Sequence, residues 1–262
     1  MRYLRQYITP ISVRNTLFFL GYLAVSLALG VVGTQYVVDA PRRVEARVRS
    51  SIDKLVKFND EYGRYSGGTG FQVIAKSGRQ YTMTNAHVCR IGESQGKLQA
   101  MDENGRYLNL SILEIASFAD LCLLAPNLLQ PSLKVSDELD TPLGASIFVA
   151  GHPKLMPLTI TSGLTVSFED IIIGVGDIPE PECKKQGGRL VPSPTIFNIN
   201  ATYCVVDADA VRTSAQIYPG NSGSPLLNSS GEVVGVMFAG SSEYIFSYAV
   251  RLRDVHRFLN IR

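Results

Sequence analysis

The body of this 262-residue sequence predicts an all-β fold, a sandwich or barrel of short strands, behind an N-terminal transmembrane helix. Three observations carry that expectation. From Gly67 onward, short runs rich in β-branched and aromatic residues alternate with Gly, Pro, Asn, Asp and Ser. No helical period interrupts them until the last dozen residues, which fits an all-β architecture rather than alternating strands and helices. One uncharged stretch near the N-terminus is also long enough to span a bilayer.

The elements follow in chain order. Residues 1–14 read as a short tail. Residues 15–38 carry no charge, and 17–33 are almost wholly apolar, which is enough for a membrane-spanning helix. The run exceeds the core of an ordinary signal peptide and lacks a small-residue cleavage site, so a retained signal anchor is the expectation. Arg2, Arg5 and Arg14 precede it, while Arg42, Arg43, Arg47, Arg49, Lys54 and Lys57 follow. Counted alone, these charges place the body in the cytoplasm, but large domains translocate regardless of flanking charge. Residues 39–62 read as a juxtamembrane linker helix, because Val44, Val48, Ile52 and Leu55 recur at helical spacing behind Pro41. The predicted strands are 70–75, 80–84, 107–115, 121–124, 146–150, 159–166, 196–199, 203–206, 233–238 and 244–250. A helix over 250–261 closes the chain, with Val255, Phe258 and Leu259 on one face.

Composition bounds the function. At 45% hydrophobic the chain can bury a full core, and its 23 glycines and 13 prolines are dispersed, as in a loop-rich β protein. A net charge of +2, with no basic patch interleaved with aromatics, argues against nucleic-acid binding. The four cysteines allow three pairings, and none has zinc-ligand spacing, so no metal site is expected.

Three segments carry chemistry: Thr84-Asn85-Ala86-His87-Val88-Cys89, Ala119-Asp120-Leu121-Cys122, and Pro219-Gly220-Asn221-Ser222-Gly223-Ser224-Pro225. A serine flanked by glycines after a Pro-Gly turn sits on backbone that bends sharply, and the N–H groups of Gly220 and Ser222 can converge on a developing oxyanion. A hydroxyl is a weak nucleophile and needs a base. Of three histidines, His256 lies in the terminal helix and His152 in a Gly-His-Pro turn, so His87 is the natural candidate. Asp120, just ahead of an apolar run, is placed to fix the imidazole tautomer.

The order His, Asp, Ser and these motifs resemble the trypsin-like (chymotrypsin-fold) serine peptidases, and specifically the HtrA/Deg branch. The likeness extends to Gly68-Thr69-Gly70-Phe71, Thr161-Ser162-Gly163, residues 231–235 and Ser247-Tyr248-Ala249-Val250, and covers about 66–260. The resemblance implies two six-stranded antiparallel β-barrels with a C-terminal helix, filling a protease domain over 63–262. It implies Ser222 as nucleophile, His87 as general acid and base, Asp120 as its partner, and Gly220 and Ser222 as the oxyanion hole. The stretch Thr213 to Tyr218, with Gln216 and Tyr218, is expected at the base of the specificity pocket and Val236 to Gly240 as one wall, with Phe238, Ala239 and Gly240 as the strand that pairs with substrate. No carboxylate occupies 216, so small or medium apolar side chains are the expected preference. Ser224 stands where the branch has glycine and Tyr218 where it has asparagine, and the PDZ domain typical of the branch is not expected after the terminal helix.

If the three segments converge, Cys89 and Cys122 become neighbours and a Cys89–Cys122 bond is expected, leaving Cys183 and Cys204 to staple the proline-bearing region 168–211, expected as elaborated loops. Paired cysteines favour an oxidising, extracytoplasmic location. The reading is a membrane-anchored serine endopeptidase acting on protein or peptide substrates, with no metal or organic cofactor and self-association left open. The alternative is a catalytically silent, membrane-tethered peptide-binding module. An active cytoplasm-facing protease, with free cysteines, is a third.

Overall fold

The computed structural model describes residues 39–59, 64–95, 98–101, 105–176, 179–185, 188–192, 202–240 and 246–260. The tail over 1–14, the anchor over 15–38 and the strand over 196–199 lie outside them. Among the described residues no helix is long and apolar enough to cross a membrane.

Helix α1 (Ala40–Val48) leads into the first sheet, built from β1 (Ile52–Asn59), β2 (Arg64–Ile74), β3 (Gln80–Thr84), β4 (Gln99–Met101), β5 (Tyr107–Asn109), β6 (Ile112–Ile115) and β7 (Cys122–Leu124), with α2 (Ala86–Gln95) between β3 and β4. Its order is β5-β4-β1-β2-β3-β7-β6, with every pair antiparallel. The expected single strand 107–115 is two strands at opposite edges of this sheet. Only Leu110 and Ser111 separate β5 from β6, so the edges they occupy lie at most about 11 Å apart there. The sheet must therefore curl upon itself. Leu55, Val88, Leu98, Ala100, Leu110 and Leu124 fill its interior.

The second sheet comprises β8 (Ser146–Gly151), β9 (Thr159–Gly176), β10 (Arg189–Pro192), β11 (Thr202–Thr213), β12 (Pro225–Leu227), β13 (Val233–Gly240) and β14 (Ser247–Arg251), with α3 (Glu180–Lys185) before β10. Its order is β10-β11-β14-β13-β12-β8-β9, and a further pairing of β9 with β11 closes six of these strands into a ring. Closure removes sheet edges. β10 lies outside the ring, and among the described residues each sheet holds seven strands where six were expected. Ile147, Val149, Val211, Leu226, Val234 and Met237 form this core.

Between the sheets the chain bridges both, Leu133 pairing with Val73 of the first and Val135 with Val233 of the second. The terminal helix α4 (Leu252–Asn260) buries Leu252, Val255, Phe258 and Leu259, as its spacing predicts. Phe258 meets Phe118 edge-on at 6.2 Å between ring centroids. That contact braces the loop that carries Asp120.

Two further sequence expectations need correction. The helical reading of 39–62 holds only for α1 and a short 3-10 turn at Arg49–Ser51, after which the chain is strand β1. Ile52 and Leu55 fit helical spacing by coincidence; they pair instead with Phe71 and Gly68. The partner strand is glycine-rich, and a Cβ at Gly67 would stand 1.9 Å from the Leu55 carbonyl oxygen, so close approach of backbones decides the outcome. Asp53 on β1 is buried and accepts from Gln72 Nε2 at 2.9 Å and Gln130 Nε2 at 2.8 Å. Within 168–211, expected as loops, the described residues include an antiparallel ladder running from Phe168↔Val211 to Gly176↔Cys204. The Cys183–Cys204 disulfide pins α3 to that ladder.

Candidate active site

His87 occupies the first turn of α2, and Asp120 ends the loop before β7. The neighbouring strand pair β3–β7 brings these segments together, Thr84 opposite Cys122. Asp120 presents both carboxylate oxygens to one residue: Oδ1 accepts from the His87 backbone N–H at 3.0 Å, and Oδ2 lies 2.7 Å from His87 Nδ1. Asn85 Nδ2 donates to the Asp120 carbonyl at 2.8 Å, fixing the loop from a second side. An ionised carboxylate only accepts, so Nδ1 holds the ring proton and Nε2 is left as a base. The Asp120 side chain is 16% exposed and that of His87 39%, so the ring remains reachable. The Cys89–Cys122 disulfide, with Cα atoms 6.5 Å apart, ties the two segments two residues beyond each side chain. It closes a loop of 33 residues in sequence, which in the chain-entropy account is worth about 4 kcal/mol.

Ser222 lies in the turn between β11 and β12. The turn is held by Asn221 N–H to Tyr218 O and Ser224 N–H to Asn221 O, both 2.9 Å, and by Gly223 N–H to Met237 O at 2.8 Å. Gly220 and Gly223 adopt φ of +98° and +83°, conformations that L side chains rarely tolerate. Both are also enclosed: a Cβ at 220 would stand 2.4 Å from the His152 carbonyl oxygen, and one at 223 would stand 2.2 Å from the Thr69 carbonyl oxygen. The turn meets the first sheet at Gly68, where a Cβ would contact both the Ser222 carbonyl oxygen (2.6 Å) and a Val88 methyl (2.9 Å). This wedge sets Ser222 beside the residue that follows His87. Among the described residues, no hydrogen bond occupies the N–H of Gly220 or of Ser222. Ser222 itself is half-buried, and among the described residues the N–H groups on either side of Asn221 are left as free donors.

The other expected residues divide. Gln216 and Tyr218 are exposed on the approach to the turn, and Phe238 is buried in β13 with Ala239 and Gly240 progressively more open. Phe238 and Asp120 both line a cavity of about 330 Å³ together with Phe118, Asp209 and Asp254. Ile217, inside the stretch expected at the pocket base but not singled out there, packs directly on the strand: a Cβ at Gly240 would stand 2.5 Å from Ile217 Cγ1. Its neighbours Gln216 and Tyr218 drew notice for charge and family position, whereas only the fold reveals that Ile217 faces Gly240.

His152 fills the turn opposite Gly220. Its ring Nδ1 bonds to the Met156 carbonyl at 2.9 Å, and burial pushes its pKa down to about 4. An unfolded chain would protonate this histidine near 6.5 while the folded one resists. Stability from this group is therefore full above about 6.5 and declines as pH falls toward 4. Urea midpoints should show a loss of about 2–3 kcal/mol between pH 7.5 and 4.5 that is absent in His152→Gln. An equal acid loss in both proteins would assign it to other groups.

Comparison with known proteins places these features in context. The family model of a trypsin-like peptidase domain matches residues 68–236. The chain is 28% identical over 194 residues to a probable periplasmic serine endoprotease, DegP-like, of Halomonas elongata, covering 71% of this chain and 33% of that protein. It is 26% identical over 217 residues to the serine protease HTRA3 of Rattus norvegicus, covering 75% and 41%. The chain thus spans between a third and two-fifths of the length of these relatives. Among solved structures, the active form of the Rv3671c protease from M. tuberculosis superposes with a TM-score of 0.61 at 23% identity, covering 86% of this chain and 85% of that one. An HtrA-type protease, AlgWS227A with tripeptide, gives 0.59 at 18% identity, covering 83% and 61%.

Proposed function

The chain belongs to the trypsin-like peptidase domain family, and from that premise we propose that it is a serine endopeptidase cleaving peptide bonds of protein substrates through an acyl-enzyme on Ser222. The observation that supports this reading is the His87–Asp120 pair, whose 2.7 Å contact frees Nε2 for the proposed role of base, while Val88 and the Ser222 carbonyl meet at Gly68. In the mechanism, Ser222 Oγ attacks the scissile carbonyl carbon as its proton passes to His87 Nε2. The carbonyl electron pair moves to oxygen and is met by the N–H groups of Gly220 and Ser222. Collapse expels the amine, which takes the proton from His87 and leaves the acyl group on Ser222. Water, deprotonated by the same nitrogen, then releases the acid and restores the serine. Asp120 keeps the ring oriented and stabilises its charged form. The full-length chain should hydrolyse an internally quenched peptide, and its Ser222→Ala variant should not; equal turnover by both would remove the basis of this reading.

Specificity follows from Ile217. Its side chain lies against Gly240, on the strand proposed to pair with substrate, and in this reading it narrows the site that takes the residue preceding the cleaved bond. Ile217→Ala is expected to shift preference from alanine or valine toward leucine or phenylalanine by about tenfold in kcat/KM, as each buried methylene is worth about 1 kcal/mol. An unchanged preference in a peptide library would place the pocket elsewhere.

We further propose that residues 15–38 anchor the chain in a membrane, with the protease domain on an extracytoplasmic side. The uncharged run and the two disulfides support this, and the Halomonas relative is described as periplasmic. Release of the intact chain from membranes by alkaline carbonate would contradict it.

A further inference from the structure

The geometry points to Thr69 as a positioning residue for the oxyanion-binding turn, an inference that rests on the proposed peptidase reading and extends it to a side chain of the first sheet. Thr69 is fully buried in β2, and all of its polar groups are engaged. Its amide donates to the Ser222 carbonyl at 2.8 Å, and its hydroxyl donates to the Gly220 carbonyl at 2.8 Å. The same hydroxyl accepts from the His152 N–H at 3.0 Å, and the Thr69 carbonyl accepts from Thr84 Oγ1 at 2.8 Å. One residue therefore grips the carbonyls on both sides of Asn221.

The effect on the turn follows peptide by peptide, because a peptide plane is rigid and holding its C=O fixes the direction of its N–H. The Pro219 carbonyl accepts from Lys154 N–H at 2.5 Å, which sets the plane that carries the Gly220 N–H. The Gly220 carbonyl is held by the Thr69 hydroxyl. The Asn221 carbonyl accepts from Ser224 N–H at 2.9 Å, setting the plane of the Ser222 N–H, and the Ser222 carbonyl is held by the Thr69 amide. Four successive planes are thus fixed. Among the described residues, the Thr69 hydroxyl is the one side-chain group that bonds these carbonyls. It also reaches the first plane indirectly, since it holds His152 N–H at the start of the tight turn that presents Lys154, where Lys154 and Leu155 adopt φ of 52° and 57°. Donors aimed before the charge develops lower the barrier most, because nothing has to reorganise. Thr69 does not touch substrate; it acts by holding the two planes that flank the one carrying the Ser222 N–H, and through His152 on the turn that sets the plane of the Gly220 N–H.

The experiment compares Thr69→Val, which keeps the shape and removes the hydroxyl, with Thr69→Ser, which restores it, and Thr69→Ala, where a water can replace it should the valine variant not fold. On the full-length chain, Thr69→Val should lower kcat about 30–100-fold with KM within threefold, the pattern of a group acting only in the transition state. Amide exchange over 217–224 should rise at least tenfold while β13 stays unchanged. Thr69→Ser should recover kcat to within about fivefold of wild type, and Thr69→Ala should show the valine pattern in weaker form. Turnover within threefold of wild type for both Thr69→Val and Thr69→Ala, or an equal loss in Thr69→Ser, overturns the inference. Exchange is read independently of turnover: an inactive wild type would sink the peptidase reading, while unchanged exchange over 217–224 would by itself overturn Thr69's hold on the turn.

Discussion

Replacing Ser222 with alanine should lower kcat by about 10⁶-fold, and His87→Ala should do the same, because nucleophile and base act as one unit. The two losses should not add: the double variant should be no slower than either single one, since removing either partner abolishes the same step. Asp120→Asn should cost about 10⁴-fold. An amide there can donate to Nδ1, turning the ring to the tautomer whose Nε2 carries the proton and cannot accept one from Ser222. Because His87 N–H and Nδ1 both bond Asp120, this variant keeps a partner for the backbone N–H and should remain folded. Single-turnover kinetics with a quenched peptide would check all three, and a Ser222→Ala protein within a hundredfold of wild type would contradict the mechanism.

Gly220→Ala is the second large effect. The new methyl would lie 2.4 Å from the His152 carbonyl oxygen and 2.9 Å from Lys154 N, on backbone at φ +98°. Neither neighbour is a flexible side chain, so the turn itself must move, and the Gly220 N–H turns away from the developing oxyanion. A loss of about 10²–10³-fold in kcat is expected, the usual cost of one misplaced oxyanion donor, with substrate affinity little changed. Far-ultraviolet circular dichroism should remain that of the wild type, since the strain is local to the turn. An alanine variant within fivefold of wild type would mean that the Gly220 N–H takes no part.

What could be read from sequence was the chemistry concentrated in short local segments. His87, Asp120 and Ser222 each sit in a motif whose neighbours define a strand end, a helix start or a glycine turn, so type and spacing carried most of the information. The terminal helix was equally legible, because Val255, Phe258 and Leu259 repeat on one face. β1 was not. Its apolar residues satisfy two periods at once, and the decision came from Gly67 and Gly68 on a partner strand, which let the backbones close. The region after Phe168 was misjudged for a related reason. Its prolines suggested loops, whereas the described ladder between β9 and β11 is a long-range pairing that no local window contains. Thr69 and Ile217 were not singled out within their segments, because the contacts on which their proposed roles rest are tertiary, one with the Gly220 carbonyl and the other with Gly240.

The measurement closest to the central claim is covalent labelling of the full-length chain by a fluorophosphonate, with the modified residue located by peptide mass spectrometry. The account expects one adduct, on Ser222, formed by wild type and absent in Ser222→Ala and His87→Ala. A folded chain that takes up no label, or takes it up without His87, would contradict an activated serine at this site and leave the cleft as a peptide-binding surface.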